Sequence, residues 1–312
     1  MLTLAGFLVP YLIAFVTFLR LVGCAVFPLI VPFVACLLIV LSPWLIPAEL
    51  PMLRFLASIS TAMLAFKVVD VSLDLKRQRS VTWQEYAGFL FNPFTLVRRS
   101  LRYERRPSQR ENLVGLLRGA LGFAGAIAVL MGLFQCDWSH VPFLVEHVSK
   151  VTALMLAIAF GLSGAAAIWR LTGGTARDFM DRPFIARTPA DFWRRYNRNV
   201  QQFFWQNVFS GQHSRRAPIR TMIFVFGLSA LLHEWIFFAA VGRLQGYQLA
   251  FFALQGIAAA STARVKVRGK LLVPWVVGTL IFNLLTSVLF FASIHSVSPF
   301  YSRGLPWCLQ SG

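Results

Sequence analysis

Ile219–Val241, IRTMIFVFGLSALLHEWIFFAAV, is long and apolar enough to cross a bilayer, yet it holds His233 and Glu234 side by side in its middle. A spanning helix needs about 20 mostly apolar residues. A charged group near the midplane costs at least ~2.5 kcal/mol on insertion scales. A histidine lowers that cost by staying neutral, but the adjacent glutamate makes the pair hard to read as filler. Intramembrane ionisable residues mark function by default. The stretch therefore reads as one helix of a polytopic membrane enzyme, with His233 as a base within the membrane.

Composition agrees with this reading. The chain has 312 residues, 57% of them hydrophobic and only 13% charged, where a soluble domain carries nearer ~25% charge. The net charge of +18 would suggest nucleic acid in a soluble protein. Here the basic residues collect in polar segments between apolar runs, and those segments have no basic-region or zinc-finger pattern. That arrangement fits the positive-inside rule and attraction to anionic lipid, and argues against nucleic acid. Cys24, Cys36, Cys136 and Cys308 form no metal-ligand spacing, so no metal is expected. Cys24 and Cys36 read as packing residues; a Cys136–Cys308 disulfide has only weak support.

Apolar stretches fall at 4–23, 26–46, 50–69, 113–134, 144–169, 219–241, 246–263 and 271–294. They predict an all-α polytopic fold of about eight transmembrane helices in one membrane-integral domain, 1–312. In the third stretch, Arg54 and Lys67 are expected to snorkel to the interfaces; the seventh is short enough to be a tilted partial span. Gly115, Gly119, Gly122 and Gly125 form a small-residue stripe suited to close helix packing. Met1–Arg20 has no basic n-region and no clear cleavage site, so it reads as a span.

Basic residues set the orientation. One cluster lies in 74–112 (Lys76 to Arg110), a second in 170–220 (Arg170 to Arg220), and a third is Arg264, Lys266, Arg268 and Lys270. Two spans separate each cluster from the next, so all three face the cytosol and both termini lie outside. Heavy use of arginine over lysine points to a high-GC genome and a bacterial inner membrane.

The polar segments carry helix signals. Thr82-Trp-Gln-Glu85 reads as a capping box for a short helix stopped at Asn92-Pro93, and Thr188-Pro-Ala-Asp191 as a second start. From there Phe192, Trp193, Tyr196, Val200, Phe203, Phe204 and Val208 recur at helical spacing, which predicts one continuous interfacial helix on the cytosolic side. Asn197 falls at the edge of its apolar face, and Asn207 on that face is a minor candidate for lining a substrate path.

PFIARTPADFWRRYN (Pro183–Asn197), followed by FGLSALLHEWIFF (Phe226–Phe238), resembles the membrane-bound O-acyltransferase superfamily, and within it the plant-type wax ester synthase branch. That branch shows a similar "PF…S/T…DFWxRRWN" stretch ahead of a "GL.HE" span. The two motifs lie 36 residues apart, counted from Asn197 to His233, and cover a core of 183–240. Tyr196 stands where the family usually has Trp, and Arg198 where it is often apolar or small. These departures leave the superfamily resemblance intact and bear on which acceptor is used.

The resemblance implies an acyl-CoA-dependent O-acyltransferase with no cofactor, acyl-CoA being a co-substrate and a lipophilic alcohol the acceptor. His233 and Asn197 are the catalytic candidates: a neutral buried imidazole serves as general base, and the Asn197 amide either orients the acyl carbonyl or donates to the oxyanion. Trp193 and Tyr196 are substrate-binding candidates. Arg194, Arg195 and Arg198 are placed to meet CoA phosphates, although positive-inside topology explains each arginine equally well. Glu234 lies about 100° from His233 on a helix, so it is a poor dyad partner and instead orients a neighbouring helix or the acceptor. His140, His147, His213 and His295 have no evident partner. Other readings are a transporter or lipid-binding protein without chemistry, a degenerate structural relative, and an O-acyltransferase acting on a sterol, a pigment or polyketide hydroxyl, or a sugar. Relatives acting on sugars tend to carry His at the Asn197 position, which disfavours the last.

Overall fold

The computed structural model describes residues 2–22, 28–77, 79–99, 107–209 and 217–309, which are helical with no strand among them. Each apolar stretch forms a helix: α1 (Leu2–Leu21), α2 (Ile30–Leu41), α3 (Pro51–Lys76), then, after α4 (Trp83–Leu90), α5 (Gln109–Gln135) and α6 (Phe143–Leu171). Two short helices, α7 (Pro189–Arg195) and α8 (Arg198–Asn207), precede α9 (Pro218–Val241), α10 (Tyr247–Thr262) and α11 (Leu272–Val297). Six of them, α1, α3, α5, α6, α9 and α11, are long and apolar enough to cross a membrane. Six of the eight expected helices are thus of full length among the described residues, while α2 has 12 residues and α10 has 16, shorter than the ~20 of a typical span.

The start of α10 is capped from a neighbouring helix. Its first amides have no partner within the helix itself. Glu234 of α9 supplies the partners: Oε1 accepts from Gln245 N at 2.7 Å and Gly246 N at 2.6 Å, and Oε2 from Gln248 N at 3.2 Å. A carboxylate at a helix N-terminus also meets the positive end of the helix dipole. At its other end, α10 reaches the start of α7, where Ala190 N donates to Thr262 Oγ1 at 3.2 Å.

α3 runs past the expected end of its apolar stretch, so Lys67 does not snorkel. It is buried, and its Nζ donates to Phe89 O (2.9 Å), Leu90 O (2.9 Å) and Asn92 O (2.6 Å). A cation on the last carbonyls of α4 satisfies groups the helix leaves open. One and two turns further, Asp70 and Asp74 are fully buried and hold Arg99 and Arg98. The capping box at Thr82/Glu85 forms as the sequence predicts.

α5 and α6 form an antiparallel pair whose backbones nearly touch. A Cβ on Gly119 would lie 2.6 Å from Gly164 Cα, and one on Gly122 would lie 2.5 Å from the Phe160 ring. At the end opposite the basic segments, buried Lys150 pairs with Glu146 at 2.6 Å and donates to Phe300 O at 3.0 Å, pinning the segment after α11 beneath α6. Cys36 and Cys136 are free thiols; Cys24, the side chain of Cys308, and His213 lie outside the described residues.

Candidate active site

The predicted continuous helix is broken in two at Asn197. Tyr196 N closes α7 on Phe192 O at 2.8 Å, and Asn197 then takes a left-handed conformation, φ 34° and ψ 62°. The break leaves backbone groups open, and residues 179–181 satisfy them: Asp181 N donates to Arg195 O at 2.8 Å, and Arg198 N to Phe179 O at 2.9 Å. Apolar periodicity carries no information about this pairing. The side chain of Asn197 then caps α8, Oδ1 accepting from Val200 N at 3.2 Å. With Oδ1 engaged, the NH₂ must point away from the helix, and it has no hydrogen-bond partner among the described residues. Glycine tolerates the backbone but cannot cap, and aspartate caps but has no N–H to offer. Asparagine alone supplies a left-handed turn, a cap and a free donor.

α7 is held upstream of this turn. Thr188 Oγ1 accepts from Asp191 N at 3.1 Å, and the Asp191 carboxylate accepts from Arg187 N and Arg195 Nε, both at 3.0 Å. Burial pushes the Asp191 carboxyl up, but those hydrogen bonds and the charges of Arg195 and Arg194 outweigh it and hold it below the usual carboxylate range.

On α9, His233 Nδ1 lies 2.8 Å from Ser229 O, one turn back. A carbonyl only accepts, so Nδ1 carries the proton and Nε2 keeps its lone pair. That nitrogen has no hydrogen-bond partner among the described residues. The ring packs on Phe252 (centroids 4.5 Å apart) and against the edge of Phe290 (6.0 Å), which fixes its plane.

Asn197 and His233 line one cavity of about 760 Å³ between α3, α6 and the α7–α11 segment, within the roughly 300–1,000 Å³ of small-molecule sites. Its walls are mostly apolar and aromatic. Trp193, Tyr196 and Arg194 line it too. Arg194 is mostly exposed and reaches Asp191 at 3.5 Å. The other predicted residues do not line it. Arg195 is tied to Asp191 and to Asp181 O, Arg198 stands outside the lining, and Glu234 is spent on α10. Asn207 also lies off the cavity: its Nδ2 donates to Asp70 Oδ1 at 3.0 Å and its Oδ1 accepts from Arg99 at 2.8 Å, fastening the end of α8 to α3.

Two cavity residues escaped the sequence reading. Gln255 of α10 accepts from Trp193 Nε1 at 2.9 Å, which sets its amide so that Nε2 donates to Thr286 Oγ1 (2.8 Å) and Asn283 Oδ1 (3.3 Å) of α11. Asn283 Nδ2 is buried and unpaired among the described residues. Both sit in apolar stretches, so the rule that singled out His233, a polar group at membrane depth, applied to them as well. Two histidines without evident partners have them: His147 bonds Tyr301, Leu284 and Ser287, and His295 Nδ1 accepts from Phe300 N and Tyr301 N. Among the described residues no group of three His, Cys, Asp or Glu could hold a metal ion.

In comparisons with known proteins, the family model described as MBOAT, membrane-bound O-acyltransferase family, matches residues 129–295, a stretch that includes both Asn197 and His233. No curated protein matches the chain.

Proposed function

Since the chain belongs to the membrane-bound O-acyltransferase family, we propose that it transfers an acyl group from acyl-CoA to a lipophilic alcohol, with His233 as general base and Asn197 as the carbonyl-directing donor. The observation that carries this reading is the pair of unengaged atoms in one apolar cavity: a bare imidazole nitrogen and an amide N–H₂, each set by a bond to its own helix. The alcohol gives its proton to His233 Nε2 as its oxygen attacks the thioester carbon. The carbonyl pair moves onto oxygen, where the Asn197 N–H meets it. When the C–S bond breaks, that pair re-forms the carbonyl, and the departing thiolate takes the proton from the imidazolium. General-base help contributes about 10²–10⁴-fold, and an oxyanion donor about 10²–10³-fold.

The lining favours a long-chain alcohol and a wax-type ester over a sugar, whose hydroxyls would lose water without finding enough partners. The family match, 57% hydrophobic composition and six spanning helices make this an integral multi-pass membrane protein. We assign the basic segments to the cytosol of a bacterial inner membrane, both termini to the outside, α2 and α10 to two further short crossings, and the α7–α8 pair to the interface. Arg194 at the cavity mouth is the basic residue best placed for the CoA phosphates.

Purified protein in nanodiscs, given radiolabelled palmitoyl-CoA and a panel of hexadecanol, diacylglycerol, a sterol and a sugar, tests the reading. Ester formed with hexadecanol and lost in His233→Ala supports it. Ester formation retained in His233→Ala refutes the base.

A further inference from the structure

α11 carries a hydroxyl on the cavity wall that the mechanism above leaves unused. Ser287 lines the cavity three residues before Phe290, so its Cα lies about 4.5 Å along the helix axis from that of Phe290, whose ring packs against His233. Four residues earlier, Asn283 bonds to Gln255, which holds Trp193. Ser287 therefore stands between the layer of Trp193 and Gln255 and the layer of His233.

A helical serine usually returns its proton to a carbonyl one turn back, which removes it as a donor. Ser287 Oγ does lie 2.8 Å from Leu284 O. A second donor, however, reaches the same carbonyl. His147, fully buried behind the cavity wall, places Nε2 2.9 Å from Leu284 O and 3.0 Å from Ser287 Oγ. Because the carbonyl only accepts, Nε2 carries the proton. Nδ1 is then bare and accepts the Tyr301 hydroxyl at 2.6 Å. Leu284 O keeps both its own helix amide and His147 as donors, and Ser287 can rotate its proton into the cavity without leaving a buried group unpaired. Pinning the segment after α11 would require only the His147–Tyr301 bond; it gives no reason for the imidazole to reach a hydroxyl on the cavity wall.

We infer that Ser287 is a second hydrogen-bond donor to the acyl carbonyl oxygen, released for that use by His147; this rests on the acyl-transfer reading. As the nucleophile's oxygen bonds to the thioester carbon, the carbonyl pair moves onto oxygen, and the Ser287 O–H turns toward it beside the Asn197 N–H. The pair returns when the C–S bond breaks. Ser287 keeps its proton throughout.

The test measures thiol release from palmitoyl-CoA by the full chain in nanodiscs, with hexadecanol and with water alone as nucleophile. The carbonyl donor is needed for both. Ser287→Ala is expected to lower kcat by about 10²-fold for both nucleophiles, with KM for palmitoyl-CoA and the melting midpoint unchanged, and Ser287→Thr to restore most of the rate. Unchanged kcat in Ser287→Ala overturns the inference. So does a loss confined to KM for hexadecanol, which would make Ser287 a contact for the alcohol. His233→Ala run alongside reads the base separately: its retained activity would sink the acyl-transfer mechanism, whatever Ser287→Ala does.

Discussion

Replacing Glu234 separates a structural carboxylate from a catalytic one. Its two oxygens take three backbone amides at the start of α10, and the residue is 4% exposed. Glu234→Ala leaves those donors without partners. Each unsatisfied buried donor costs about 1–3 kcal/mol, and such costs do not simply add. A loss of about 3–5 kcal/mol is expected, near the upper end for a single substitution. At roughly 2 °C per kcal/mol for a chain of this size, the melting midpoint falls by about 6–10 °C. Glu234→Gln keeps one carbonyl oxygen for the two short bonds to Gln245 N and Gly246 N. It loses the charge and the acceptor for Gln248 N, so about 1–3 kcal/mol is expected. The assay is thermal unfolding in one detergent, paired with acyl transfer on the fraction that remains folded. Both variants should lose stability in the order Ala more than Gln, while folded Glu234→Gln keeps a rate within about tenfold of the parent, a smaller loss than the about 10²-fold minimum for direct acid–base participation. A Gln variant as stable as the parent but catalytically dead would refute the capping role.

Two further predictions concern the loop that presents the donor. Asn197→Asp keeps the cap on α8 but has no N–H, so the protein should fold and its kcat should fall by about 10²–10³-fold, measured as ester formation at saturating palmitoyl-CoA; an active Asp variant would remove Asn197 from the carbonyl. Asp191 has a folded-state pKa below its ordinary 3.8. Its contribution to stability is therefore fully present above that ordinary value and lost as pH falls through the lower folded value. Asp191→Asn should accordingly melt below the parent at pH 7, and the gap should close at pH below the folded-state pKa, as read by unfolding midpoints across a pH series; a gap that does not depend on pH would show that the carboxylate's charge is not what matters.

His233 was legible locally, as an ionisable group inside an apolar helix. Asn197 was named only through the resemblance of its FW-containing stretch to a known family, although the Thr188 cap and Pro189 ahead of it can be read from four residues. The turn that exposes the Asn197 amide was not legible. Phe192 to Val208 keep helical spacing across it, and the backbone bonds that permit the break come from residues 179–181, which no periodicity connects to them. The arginines illustrate the opposite failure. Arg194, Arg195 and Arg198 look alike in sequence, yet one lines the cavity, one is held by Asp191 and Asp181, and one stands outside the lining.

Hydropathy, charge placement and capping signals are properties of a few consecutive residues. The chain alone therefore determines an all-helical membrane protein, its basic segments, the caps at Thr82 and Thr188, and the motifs shared with its family. The employment of a polar atom is different, because it depends on which distant group lies within about 3 Å of it. Asn207 meets Asp70 across 137 residues, and His147 meets Ser287 across 140. Only the folded helices decide that Glu234 caps α10, that Lys67 closes α4, and that His233 Nε2 and the Asn197 amide NH₂ are without partners, among the described residues, on side chains that line one cavity. An unpaired buried polar group is costly, so the atoms that tertiary packing satisfies become structure, and open ones on residues that line the cavity become the candidate site.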